Sequence, residues 1–331
     1  MGELELTYAG LLYLDRTLPL LTREVRPRGV DLRYEVFPRV EDLFRRQAQH
    51  AEFPVSEMSL GTFLVLAARG DSPFVGLPVF LSRHFRHRQI YVNERAGITE
   101  PAELRGRRLA VPEYQMTAAV WVRGMLRDEY GIEPEEIDWH TGGLREPKYA
   151  ERLAVRLPAG VEVRRIPADR TLEGMLGSGD LDALITTEQP PAMREPGSPI
   201  RRLFTRYGEV ERAYYARTRI FPIMHLLVVR RDVYDENPWV AEALTHAFVA
   251  AGSAGAARLR FEPSLAVGLP WLQESIEEVD RDFGGDAFPY GVEPNRHVLE
   301  VLTRYMHEQG LTARRVGVDE LFAPEATAVS S

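Results

Sequence analysis

The sequence predicts an α/β protein of two lobes, and three observations carry that reading. Strand and helix signals alternate through the first ninety residues, a second run of the same alternation follows Gly97, and a long apolar strand, Ile220 to Arg230, returns the chain to the first lobe. At 331 residues the chain exceeds what one simple core holds.

Taken in order, Leu4 to Tyr8 reads as a strand, Thr17 to Arg26 as a helix and Asp31 to Phe37 as a strand. Glu41 to His50 is helical, and Phe53 to Met58 is a short strand running into a helix from Leu60. Phe80 to Tyr91 is mixed, with Gln89 to Asn93 strand-like. Beyond Gly97, Leu109 to Val111 is a strand, a helix follows Thr117, and Val161 to Ile166 is a strand. Leu172 to Leu176 is a helix and Ala183 to Thr186 a strand. Pro190 to Pro199 holds four Pro and one Gly and reads as a loop. The remainder is helical, over Pro238 to Leu259, Pro270 to Asp282 and Pro294 to Gln309. The expected division is residues 1–96 with 226–331 as one lobe and 97–225 as the other.

Composition excludes several classes of function. A net charge of −8 gives no global basic field for nucleic acid. Lys148 is the only Lys, so Arg makes up forty of the 41 cationic residues, which enriches any cleft in bidentate carboxylate binders. With no Cys there are no disulfides, no thiolate catalysis and no Cys-ligated metal. The N-terminus lacks the basic and apolar regions of a secretory signal, and no run approaches the roughly 18 apolar residues of a membrane span. The expectation is a cytoplasmic protein without membrane or nucleic-acid partners, with homo-oligomerisation left open.

Two turns carry the functional signal. Pro112 to Thr117, between a strand and a helix, would expose N–H groups at the positive end of a helix dipole, a ready site for a carboxylate or phosphate. Ser56-Glu57-Met58-Ser59 has a similar design, ending a strand and opening a helix. Two facing turns would make a cleft.

Longer motifs give the chain a family. Tyr13 to Thr17, Phe53 to Ser59, Ser82 to His87, Ile90 to Asn93, Val111 to Trp121, Ile220 to His225, Arg230 to Tyr234 and Phe288 to Gly291 together resemble the 4,5-dihydroxyphthalate decarboxylase family, nearly end to end. The resemblance implies a fold of the periplasmic-binding-protein type II kind, with the ligand cleft between lobes. It also implies an enzyme that removes CO2 from a hydroxylated aromatic acid, with a small aromatic carboxylate as its partner.

That reaction has definite physical demands. A ring hydroxyl ortho or para to the carboxylate pushes electrons inward, and a general acid protonates the carbon bearing the carboxylate. Cations must hold the carboxylates. Arg83 and Arg86 are expected to bind carboxylate, with His84 or His87 as proton donor and Glu57 as acceptor of a phenol proton or as orienter of a His. Ser56 and Ser59 read either as caps or as ligand contacts. Tyr114, Gln115 and Thr117 carry the same two readings, ligand contact being favoured for Gln115 and Thr117. Arg16 reads either as a ligand contact or as a salt-bridge partner of Asp15. His225 lies in an apolar strand and reads as core or as site, and Glu188 is a further candidate at a strand end.

No cofactor is expected. The alternative, a divalent metal ion held by His84 and His87 with Glu57 or His225, has only i, i+3 spacing behind it. A solute receptor or an intracellular sensor for an aromatic carboxylate is the other class of function that the fold would serve.

Overall fold

In the computed structural model, which describes residues 2–147, 152–155, 157, 158 and 160–327, the apolar runs become eleven strands. In chain order they are β1 (Leu4–Gly10), β2 (Val30–Val36), β3 (Val55–Ser59), β4 (Phe74–Arg83), β5 (Ile90–Asn93), β6 (Arg108–Val111), β7 (Asp138–Thr141), β8 (Val163–Arg165), β9 (Ala183–Ile185), β10 (Ile200–Arg202) and β11 (Ile223–Arg230). They form two sheets, ordered β2-β1-β3-β11-β4 and β10-β5-β9-β6-β7-β8. The chain divides into two units, one of residues 1–83, 223–300 and 316–331, the other of 84–222 and 301–315.

In the first unit β1 runs parallel to β2 and β3, while β11 runs antiparallel to both β3 and β4. β3 is buried throughout and β4 and β11 nearly so, which is why they read as near-continuous apolar runs rather than as alternation. β2 is an edge and carries Asp31, Arg33 and Glu35. One core of this unit packs Tyr8, Val55, Leu77 and Leu227 against Leu244, Phe248 and Ala251 of the helix Trp239–Leu259. The ends of β1, β3 and β4 and the start of β11 share one edge of the sheet, where several of the candidate residues collect.

The pairing of β4 with β11 is irregular at that edge. Leu227 faces Leu77 but His225 already faces Ser82, so residues 78–81 bulge out of the ladder. Pro78 lies in the bulge, where its missing N–H breaks no pairing. The carbonyls so released are used: Pro78 accepts from Gly291 N–H at 2.8 Å and Leu81 from Arg16 Nη1 at 2.8 Å.

The second sheet is mixed. β6, β7, β8 and β9 pair in parallel, and β5 pairs antiparallel with β9 and β10. Its core packs Tyr91, Ala110, Leu172, Leu176 and Leu184. The helix Thr117–Tyr130 follows β6, and Tyr305 packs on it where Gly124 leaves room for the ring.

The division differs from the expected one at both boundaries. Residues 84–96 belong with the second unit because β5 pairs only within the second sheet, and 223–225 belong with the first because they begin β11. Residues 301–315 join the second unit, where Gln309 bonds Arg123. The helix expected over Thr17 to Arg26 is only Leu18–Leu21, since Arg23 turns to a φ of 59°. β7, β10 and the helix Tyr207–Thr218 were not anticipated. Among the described residues no helix is long and apolar enough to cross a membrane.

Candidate active site

Glu57 and His225 meet at the edge of the first sheet. Both come from neighbouring strands, and the β3–β11 register that pairs Glu57 with Leu227 and Ser59 with His225 brings the imidazole beside the carboxylate. Nδ1 of His225 lies 2.6 Å from Oε1 of Glu57. Glu57 is fully buried, whereas the His225 side chain keeps 16% of its surface exposed. Phe44 packs its ring edge-to-face on the imidazole, 4.8 Å between centroids.

The loop after β1 completes the surroundings of Glu57. Tyr13 donates its hydroxyl to Oε1 at 2.6 Å, and Leu11 donates its N–H to Oε2 at 2.9 Å. With three donors converging, Glu57 is placed to accept from Nδ1–H of His225. That fixes the tautomer and leaves Nε2 directed away from the carboxylate. Thr17 holds the loop in turn, its Oγ1 accepting from Tyr13 N–H at 2.9 Å and lying 2.9 Å from the Tyr34 hydroxyl oxygen. Tyr34 donates its one proton to the carbonyl of Leu11. Burial first, then the Glu57 charge, holds the Tyr13 phenol well above its ordinary range. Burial is likewise the main reason that the phenols of Tyr8 and Tyr34 are raised.

The other expected residues of this unit have defined partners. Arg16 pairs with Asp15, donates to Leu81, and lies over the Phe288 ring at 3.9 Å and the Tyr13 ring at 5.0 Å. Arg16 thus has the salt bridge to Asp15 that one of its two readings expects, beside Tyr13. Arg83 is buried and donates to Pro289 O at 3.0 Å and to Asn295 Oδ1, tying the end of β4 to the 289–295 loop. Ser59 caps the helix Leu60–Arg69 by accepting from Thr62 N–H at 3.5 Å. Ser56 is fully buried and its hydroxyl has no hydrogen-bond partner.

The side chains at 84–87 have defined surroundings of their own. His87 is enclosed edge-to-face by Phe204 and Tyr214, at 5.3 and 5.1 Å, with no hydrogen bond to Nδ1. Burial, helped by Arg217, pushes it down to about 4, which favours the uncharged ring. His84 lies with Nε2 3.2 Å from Arg88 Nη2, and since a guanidinium only donates, that nitrogen accepts. Arg86 is buried and donates to Gln89 Oε1, and burial, then Arg88, lowers it to about 9. His87, one of the two expected proton donors, thus sits in an aromatic enclosure.

The turn after β6 is also largely internal. Tyr114 is buried beneath the guanidinium of Arg123, 3.7 Å above its ring, with Trp139 at 5.5 Å. Gln115 donates to Glu113 Oε2 at 3.0 Å, and Glu113 pairs with Arg152 at 2.7 Å. Thr117 is the first helical residue and not the N-cap, which is Met116. Glu188 is exposed and pairs with Arg145 at 2.7 Å. Among the described residues no group of three His, Asp or Glu side chains assembles that could hold a metal ion. Tyr13 was absent from the expected site residues, although it opens one of the family motifs.

Comparison with solved structures places this fold in a class. The periplasmic aliphatic sulphonate-binding protein SsuA of Escherichia coli aligns with 99% of this chain and 100% of its own, at a TM-score of 0.53 and 13% identity. The ligand-binding component of an ABC-type import system from Staphylococcus aureus aligns over 99% of each chain, with a TM-score of 0.54 and 13% identity. The fold is thus that of the solute-binding proteins. Sequence relatives are more specific, though no protein-family model matches the chain. A 4,5-dihydroxyphthalate decarboxylase of Comamonas testosteroni is 36% identical over 324 residues, covering 98% of each chain. One from Pseudomonas putida is 39% identical over 204 residues, 62% of this chain and 78% of that protein. The chain belongs to the 4,5-dihydroxyphthalate decarboxylase family and is a carboxy-lyase.

Proposed function

We propose that the protein decarboxylates a hydroxylated aromatic dicarboxylic acid, 4,5-dihydroxyphthalate or a close analogue, with His225 as the proton donor. The names of its two relatives support the substrate class. The observation that carries the donor is the 2.6 Å contact between His225 Nδ1 and the buried Glu57. In this scheme the hydroxyl para to the departing carboxylate pushes electrons into the ring. Nε2 of His225 delivers its proton to the ring carbon bearing that carboxylate. The C–C bond then breaks, its electrons restore aromaticity, CO2 leaves, and His225 regains a proton from solvent. Glu57 stays negative throughout and balances the imidazolium. Arg16, beside Tyr13, is a cation that this edge offers to a carboxylate, in competition with Asp15.

The substrate's own hydroxyl supplies the electron push, so the scheme needs neither metal nor organic cofactor. Purified protein should release CO2 from 4,5-dihydroxyphthalate at the same rate with and without EDTA. His225→Ala should lower kcat by about 10²–10⁴-fold while ligand affinity changes little. Phthalate, lacking the hydroxyls, should bind without reacting. Full activity in His225→Ala would sink the donor assignment, and turnover of phthalate at a similar rate would sink the electron push.

A further inference from the structure

The hydroxyl of Tyr13 and Nδ1 of His225 share a single oxygen of Glu57, each at 2.6 Å. We propose that Tyr13 is a positioning residue that makes His225 the readier proton donor, by drawing off part of the carboxylate charge that would otherwise hold the imidazolium. The inference rests on His225 as the donor.

The geometry leaves Tyr13 little choice of direction. Its carbonyl accepts from the N–H groups of Thr17 and Leu18 at 2.9 and 3.0 Å, and its own N–H is bound by Thr17 Oγ1. The phenol ring is fixed at its root and aimed at Oε1. Hydrogen bonds to a carboxylate are about twice as strong as neutral ones, so two donors on one oxygen compete appreciably for its charge. Without the phenol, Oε1 would serve His225 alone, the imidazolium would be better stabilised, and the proton would leave Nε2 less readily. The phenol's raised range keeps Tyr13 a donor through the working pH.

Other groups around the pair leave this competition in place. Phe44 packs on the imidazole and does not titrate, and Ser59 and Ser82 flank His225 across the neighbouring strands. Tyr8 and Tyr34 stand near Glu57 as phenols held neutral by burial. Arg16 lies beside Tyr13 and is paired with Asp15.

Two variants, made in the full chain, test the inference in opposite directions. Tyr13→Phe should lower kcat about tenfold, leave KM within about twofold, and move the pH profile of kcat to higher pH. Tyr13→3-fluorotyrosine, a stronger donor of nearly the same shape, should move the profile to lower pH. A role confined to packing would produce no such opposed shifts. Profiles that superimpose on the wild type, with His225→Gln inactive, would overturn the role of Tyr13 and leave the donor standing. An active His225→Gln would overturn both. If Tyr13→Phe fails to fold, the fluorinated variant decides alone.

Discussion

An imidazole enclosed by Phe204 and Tyr214 takes a proton only at a cost, and His87 is such a group. Its ordinary value near 6.5 applies in the unfolded chain, while burial in the folded protein lowers it to about 4. Between those values the unfolded chain binds a proton that the folded one refuses. The stability that His87 contributes is therefore complete above about pH 6.5 and falls by about 3 kcal/mol as the pH drops towards 4. Urea unfolding of wild type and His87→Leu at pH 7.5 and 4.5 should show a shallower pH dependence in the variant, and equal dependence would refute the assignment. The same residue shows what the sequence withheld. Ser82 to His87 concentrates titratable groups, which reads as chemistry, but the rings that bury His87 come from Phe204 and Tyr214, far along the chain. Conversely, His225 reads as half core because its neighbours are apolar, and Glu57, the carboxylate it meets, lies 168 residues away.

At the scale of the element, the loop joining β1 to the helix Leu18–Leu21 organises the site, and its seat is a glycine. A Cβ on Gly255 would lie 1.9 Å from the carbonyl oxygen of Asp15 and 2.3 Å from its carbon. Backbone at that distance must move. Gly255→Ala should improve helix propensity yet destabilise the protein on the order of 2 kcal/mol and lower kcat, because the displaced loop carries Tyr13 and Leu11 away from Glu57. Thermal melts and steady-state kinetics check both, and a variant more stable than wild type with unchanged kcat would contradict the packing argument. Long elements were legible for an ordinary physical reason. β11 and the helix Trp239–Leu259 repeat their burial signal over many residues, whereas β7 and β10 are four and three residues long and owe their existence to neighbours. The bulge at residues 78–81 left only Pro78 as a sign, and a Pro in a strand also reads as a strand end.

At the scale of the molecule, the two-lobed α/β reading held in kind while its boundaries moved, since both boundaries are decided by which strand each short segment pairs with. Fold alone separates neither receptor from enzyme, as the sulphonate-binding SsuA has the same architecture. The first sheet is assembled out of order, with β11 between β3 and β4. On the ribosome this means that the first 83 residues emerge with β3 and β4 unable to pair with their common neighbour, and wait while residues 84–222 are synthesised. Two apolar strand edges stand open for that interval, the arrangement that invites pairing with another nascent chain. A fragment ending at Pro222 should therefore aggregate while the full chain stays dispersed, as light scattering during cell-free synthesis would show, and a dispersed fragment would contradict it. The strand that brings His225 to Glu57 is thus also the one that closes the sheet, so any chain in which that pair has formed has already sealed the edges that endangered it.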